Sequence, residues 1–163
     1  MGTFDVLGFN LRLSDIQAAI GVAQLDKLDR LLTERRERAH RYHTLLTDIH
    51  DIALPQGPQH CGHTYQSYVI RVLEGGTTRR NALMDVLDAS GIQTRPGTHA
   101  VHRLGYYRDK YRLKPERFPA ACAAEDLSIT LPIFPGMRDD QQERIAEVLR
   151  SALRHGLSPS KAA

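Results

Sequence analysis

The stretch RPGTHAVHRLGYY, residues 95–107, gathers Arg95, His99, His102, Arg103, Tyr106 and Tyr107 around Pro96 and Gly97. Proline and glycine together favour a loop. A guanidinium offers a planar fork to phosphate or carboxylate, and an imidazole titrates near neutral pH. A loop this dense in such groups suits a phosphorylated or acidic ligand, and an ordinary polar surface loop has the same composition. The sequence HCGH places His60, Cys61 and His63 together and raises the question of zinc. A structural zinc site takes four nitrogen or sulfur ligands, usually as two separated pairs. The chain has no CxxC, Cys122 is isolated, and nothing brings His99 and His102 to the His60 loop, so no metal site is assigned. Cys122 lies in PAACAAED and reads as small apolar filler rather than a nucleophile. Cys61 precedes no helix terminus that would favour its thiolate. GxSxG, P-loop and GxGxxG patterns are absent.

The elements that must position these groups fit a single domain. The chain has 163 residues, 41% hydrophobic and 25% charged, with a net charge of +3. Its acidic and basic residues are well mixed, and no basic stripe interleaved with aromatics points to nucleic acid. No apolar run approaches a membrane span, and MGTFDVLGF has neither the charged nor the apolar region of a signal peptide. Two cysteines build no disulfide framework, so a reducing cytoplasm is the expected location.

Read along the chain, a lead-in turn containing GFNLR occupies 1–13. Ser14 or Asp15 can cap a long helix, or two nearly continuous ones, over 14–48; Ile16, Ala19, Ile20, Ala23, Leu28 and Leu31 recur at helical spacing. Residues 52–64 carry Pro55, Gly57, Pro58 and Gly62 and read as loop. TYQSYVIRVLE, 64–74, reads as a strand. Thr77 or Thr78 caps the next helix, which Gly91 terminates. A helix over 118–125, a strand in LSITLPIF and an amphipathic helix over 138–155 follow, then a tail, 156–163. The small domain is 49–155. Strands separated by helices, without a glycine-rich strand-to-helix turn, define a small α/β or α+β sandwich.

Three segments carry a resemblance. GFNLRLSDIQAAIGVAQLDKLDRLLTERRERAHRY resembles the GYNYRMSDIQAAIGLAQLE…RR…A…Y segment of the DegT/DnrJ/EryC1/StrS sugar aminotransferases. GIQTRPGTHAVHRLGYYRDKY resembles their GI-TR-…-H-…-YY loop, and LSITLPIFPGMRDDQQERIAEVL their S-LPL-PGM terminus. The matches run in order over about residues 7–150. Leu11 stands where the family usually has tyrosine, and Phe9 replaces the first tyrosine.

This resemblance implies the carboxy-terminal domain of a fold-type I, pyridoxal 5′-phosphate-dependent transferase, in which a long helix leads into a small antiparallel sheet covered by helices. It implies amino transfer, typically from glutamate, to a keto group of a nucleotide-linked deoxysugar. The RPGT form of the loop points to a 4-keto-6-deoxyhexose of the perosamine type. By the same resemblance Asn10 reaches the cofactor phosphate across a homodimer, with Arg12 nearby, and Arg95, His99, His102 and Tyr107 line the sugar pocket. Turn chemistry is the other reading of Asn10. The family's cofactor lysine lies upstream of the first segment. Lys27, Lys110, Lys114 and Lys161 do not sit in its sequence context, so no catalytic residue is assigned. The cofactor is then expected only when the chain is assembled with a lysine-bearing partner, and the chain alone is expected not to transaminate. The partner would be a second copy or a separate chain carrying the lysine. A non-catalytic remnant or interaction module that retains the dimerisation surface is the alternative, and an excised part of an intact enzyme a third.

Overall fold

Ser14 closes the first helix by a reciprocal pair of bonds. The Gln17 N–H donates to Ser14 Oγ at 3.4 Å, and the Ser14 N–H donates to Gln17 Oε1 at 3.0 Å. In the computed structural model the described residues are Asp5, Gly8, 12–58 and 60–155. The expected helical region is two helices, α1 (Asp15–Leu25) and α2 (Leu28–Leu46), broken only at Asp26 and Lys27. α1 buries none of its residues. α2 turns Ala39, Tyr42 and Leu46 into the core.

Three antiparallel strands follow in the order β1 (Ile52–Ala53), β2 (Tyr68–Val72), β3 (Ser128–Leu131). β1 corrects the reading of 52–64 as loop throughout: Ile52 pairs with Val72 before Pro55 ends the ladder. β2 pairs with β3 from Tyr68 opposite Leu131 to Arg71 opposite Ser128. Tyr68, Ile70 and Val72 alternate inward, as the two-residue period requires. Helix α3 (Gly76–Ala89) starts earlier than expected. Its cap is Gly75, at φ 81, with no side-chain bond, rather than a threonine. This left-handed turn lets the strand reverse directly into the helix.

Two short helices, α4 (Gly105–Tyr111) and α5 (Pro119–Leu127), precede β3, and α6 (Asp139–His155) closes the domain. One core joins α2, α3, α6 and the inner face of the sheet, with Tyr42, Leu46, Tyr68, Ile70, Leu83, Leu87, Ile129, Leu131 and Leu149 fully buried. The Tyr42 and Tyr68 rings meet at 4.9 Å. Burial pushes both phenols far above their ordinary pKa. The arginine-rich half of α2 is a clamp. Arg35 donates to the carbonyls of Tyr65, Gln66 and Ile133 at 3.2–3.3 Å. Arg38 pairs with Asp139, and Arg41 with Glu143 at 2.5 Å, tying α2 to α6.

Candidate functional site

The loop singled out by its chemistry is pinned to the sheet at two points. The Thr130 N–H donates to the Arg95 carbonyl at 2.7 Å, so Arg95 extends the ladder beyond β3. The Gly97 N–H donates to Ser128 Oγ at 3.1 Å, and that hydroxyl in turn donates to the Ala124 carbonyl of α5. The approach leaves no room for a side chain. A Cβ on Gly97 would press on Val69 Cγ1 and stand 2.7 Å from Ser128 Oγ. Glycine is required here by the distance between backbone and sheet.

On one side of this anchor lies an open cleft of about 490 Å³, whose wall includes Gln66, Gln93, Thr94, Arg95 and Thr130. Arg95 is exposed, and Thr130 Oγ1 is buried without a hydrogen-bond partner. The cleft thus offers the Arg95 cation and two amides beside the Asp88 carboxylate, a set suited to a polar ligand.

On the other side the loop meets α5. His99 is exposed, with Nδ1 3.7 Å from Glu125 Oε1. Arg103 grips Asp126 through two bonds, 2.6 and 2.9 Å, and reaches Glu125 at 2.8 Å. Those bonds, the one to Asp126 first, push the Arg103 pKa above its already high ordinary value, and the same guanidinium holds the Asp126 carboxyl below the usual carboxylate range. Arg103 is therefore neutralised within the fold. His102 is only 4% exposed; its ring stacks on Phe118 at 4.8 Å and its Nε2 lies 3.2 Å from Cys122 Sγ. Tyr107 belongs to an exposed aromatic group on α4, edge-on to Tyr106 and stacked on Tyr111.

The expected residues are therefore not one constellation. Arg95 faces the cleft, His99 and His102 both turn to α5, and Tyr107 stands on α4. Asn10 lies outside the described residues, and Arg12 is exposed just ahead of the first helix. Cys122, read from the sequence as small apolar filler, lies 3.2 Å from His102 Nε2. In HCGH, Cys61 is exposed and His63 Nδ1 accepts the Tyr65 N–H at 2.9 Å. Gln66, Thr130, Glu125 and Asp126 were not marked by any motif; only the pairing of β3 with Arg95 and the packing of α5 bring them in.

The described residues do not by themselves fit a pyridoxal phosphate cradle. Lys27, Lys110 and Lys114 are all exposed. Lys110 donates to Tyr106 Oη at 2.8 Å and lies over the Tyr106 and Tyr111 rings. That hydrogen bond raises its pKa, the opposite of what a nucleophilic amine needs.

The fold itself is that of a known class of enzyme domain. It superposes on the Helicobacter pylori aminotransferase PseC, involved in pseudoaminic acid biosynthesis, with a TM-score of 0.80 at 20% identity, over 93% of this chain and 40% of that one. The chain belongs to the DegT/DnrJ/EryC1/StrS aminotransferase family, whose sequence model matches residues 2–150. The spore coat polysaccharide biosynthesis protein SpsC of Bacillus subtilis is 30% identical over 149 residues, 90% of this chain and 38% of that protein. The GDP-perosamine synthase of Escherichia coli O157:H7 is 34% identical over 148 residues, 88% of this chain and 37% of the synthase. The chain thus spans under two-fifths of the length of these curated relatives. None of its described helices is long and apolar enough to cross a membrane.

Proposed function

We propose that this chain is the carboxy-terminal, substrate-facing part of a pyridoxal phosphate-dependent aminotransferase acting on a nucleotide-linked keto-deoxysugar, with glutamate as amino donor. The carrying observation is the family match over residues 2–150, in a chain spanning 37% of a GDP-perosamine synthase to which it is 34% identical. The cleft beside Arg95 supports the reading: a sugar diphosphate needs cations and amides, and Arg95, Gln66 and Gln93 supply them. His99, on the loop beside Glu125, is assigned to the sugar side. Asn10 and Arg12 are assigned to the cofactor phosphate of an assembled enzyme, and Tyr107 to the sugar side. Chemistry at the cofactor belongs to the lysine-bearing part of the assembled enzyme, and residues 1–163 by themselves are inactive.

The test mixes the chain with a polypeptide carrying a family-type cofactor lysine and follows glutamate-dependent amination of a GDP-linked 4-keto-6-deoxyhexose by mass spectrometry. Amination by the mixture and not by the chain alone is expected, with Arg95→Ala raising KM. Turnover by the chain alone would overturn its inactivity. Failure with every lysine-bearing partner from its own cell would favour an interaction module that has lost the chemistry.

A further inference from the structure

His102 and Cys122 stand apart from the polar cleft, and amino transfer to a sugar makes no use of a thiol. Their contact joins the 3-10 turn Val101–Arg103 to α5, across 20 residues of sequence, with Nε2 to Sγ at 3.2 Å. The imidazole is fixed by burial and by its stack on Phe118. The thiol is half-buried. Cys122 lies at the end of the first turn of α5. Besides the imidazole, the Pro115 carbonyl at 3.5 Å is the other acceptor for the thiol hydrogen, and it is the more distant.

We propose that Cys122, with His102 as its proton partner, is a modification site for small hydroperoxides. His102 Nε2 takes the thiol proton. The sulfur then attacks the outer peroxide oxygen, an S–O bond forms and the O–O bond breaks. The departing oxygen carries the electron pair and collects a proton from His102, so the products are a sulfenic acid and an alcohol or water. Sulfur is oxidised by two electrons and the peroxide is reduced by two. A peroxide suits the pair better than other electrophiles. Its leaving oxygen needs a proton, which a histidine beside the thiol supplies and an isolated thiolate does not.

Hydrogen peroxide is the probe. Sulfenic acid is trapped with dimedone and quantified separately on the Cys122 and Cys61 peptides, for the folded chain and for the chain in urea. Cys122 should react about tenfold faster folded than unfolded, while exposed Cys61 changes by no more than about twofold. The folded His102→Gln variant should lose that acceleration. A packing contact alone predicts the reverse, because partial burial slows a thiol. Slower reaction of Cys122 in the folded chain overturns the proposal, as does a folded His102→Gln variant that keeps the fast rate. If that variant does not fold, the comparison of folded with unfolded wild type decides alone.

Discussion

Arg103 holds Asp126 in a two-bond fork, 2.6 and 2.9 Å, and shares one of its nitrogens with Glu125. The fork ties the candidate substrate loop to α5. Its pH dependence follows from the Asp126 carboxyl, which is lowered first by the Arg103 hydrogen bond, with attraction to Arg103 and Arg80 adding to it. A carboxyl depressed in the folded state contributes stability above its unfolded pKa, about 3.9. That contribution is lost as pH falls through the folded value. Arg103 stays charged throughout and adds no pH dependence of its own. Asp126→Asn should cost about 1 kcal/mol at pH 7, a modest figure because the pair is partly solvated. The difference from wild type should shrink toward zero between about pH 4 and pH 2. Urea midpoints measured across that range check it; a difference that grows with acidification would contradict the assignment.

Gly97→Ala tests the close approach of the loop to the sheet. The added methyl meets the Val69 and Ser128 side chains, and Ser128 is itself committed to the Ala124 carbonyl. The loop must lift, breaking the Gly97 bond to Ser128. A loss of about 1–3 kcal/mol is expected, as for overpacking elsewhere. Sugar-nucleotide affinity in an assembled enzyme should fall with it, because Arg95 moves with its neighbour. An unfolding free energy within about 0.5 kcal/mol of wild type would show that the loop yields freely.

How much of this was legible in the sequence depends on the range of the interaction that decides each feature. The strand through Tyr68, Ile70 and Val72 and the helix carrying Leu149 follow from local periodicity, and both stand where that pattern puts them. Strand β1 does not, since two residues before a proline become a strand only because Val72 and Arg71 lie opposite. The start of α3 was misplaced because two threonines are good caps on paper, whereas the strand's exit direction selects the left-handed Gly75. The site divides in the same way. The density of titratable groups in 95–107 was visible. The neutralisation of Arg103 by Asp126, the burial of His102 and its contact with Cys122 all come from α5, some twenty residues away, and no motif connects the two segments.

Tyr42 offers a test of the core that separates its ring from its hydroxyl. The ring is fully buried against Tyr68, and the hydroxyl donates to the Pro132 carbonyl at 2.8 Å. Tyr42→Phe should cost about 1 kcal/mol, the net worth of one hydrogen bond whose acceptor is left unpaired. Tyr42→Ala should cost about 3–5 kcal/mol through the cavity it opens. Denaturant titration of both variants measures the split. Equal losses would mean that the hydroxyl, rather than the packing, holds α2 against the segment after β3.

The bare face of α1 makes the last prediction. Leu13 and Ile16 are 69% and 77% exposed, and Ile20, Val22 and Leu25 are more than half exposed. A helix of 11 residues with no buried side chain has little beyond its capping box to hold it. Amide exchange in α1 should therefore run roughly a hundredfold faster than in the part of α2 around Tyr42. The same face should drive association, since contiguous exposed apolar surface seeks cover. Replacing Ile16 and Ile20 together by lysine removes two anchors at helical spacing without touching the core. The unfolding free energy of the small domain should stay within about 0.5 kcal/mol of wild type. Sedimentation should shift toward the single chain, and binding to a lysine-bearing partner should weaken. A double variant that associates as before would place the contact surface elsewhere. A double variant that loses domain stability would mean that α1 packs on the domain in solution.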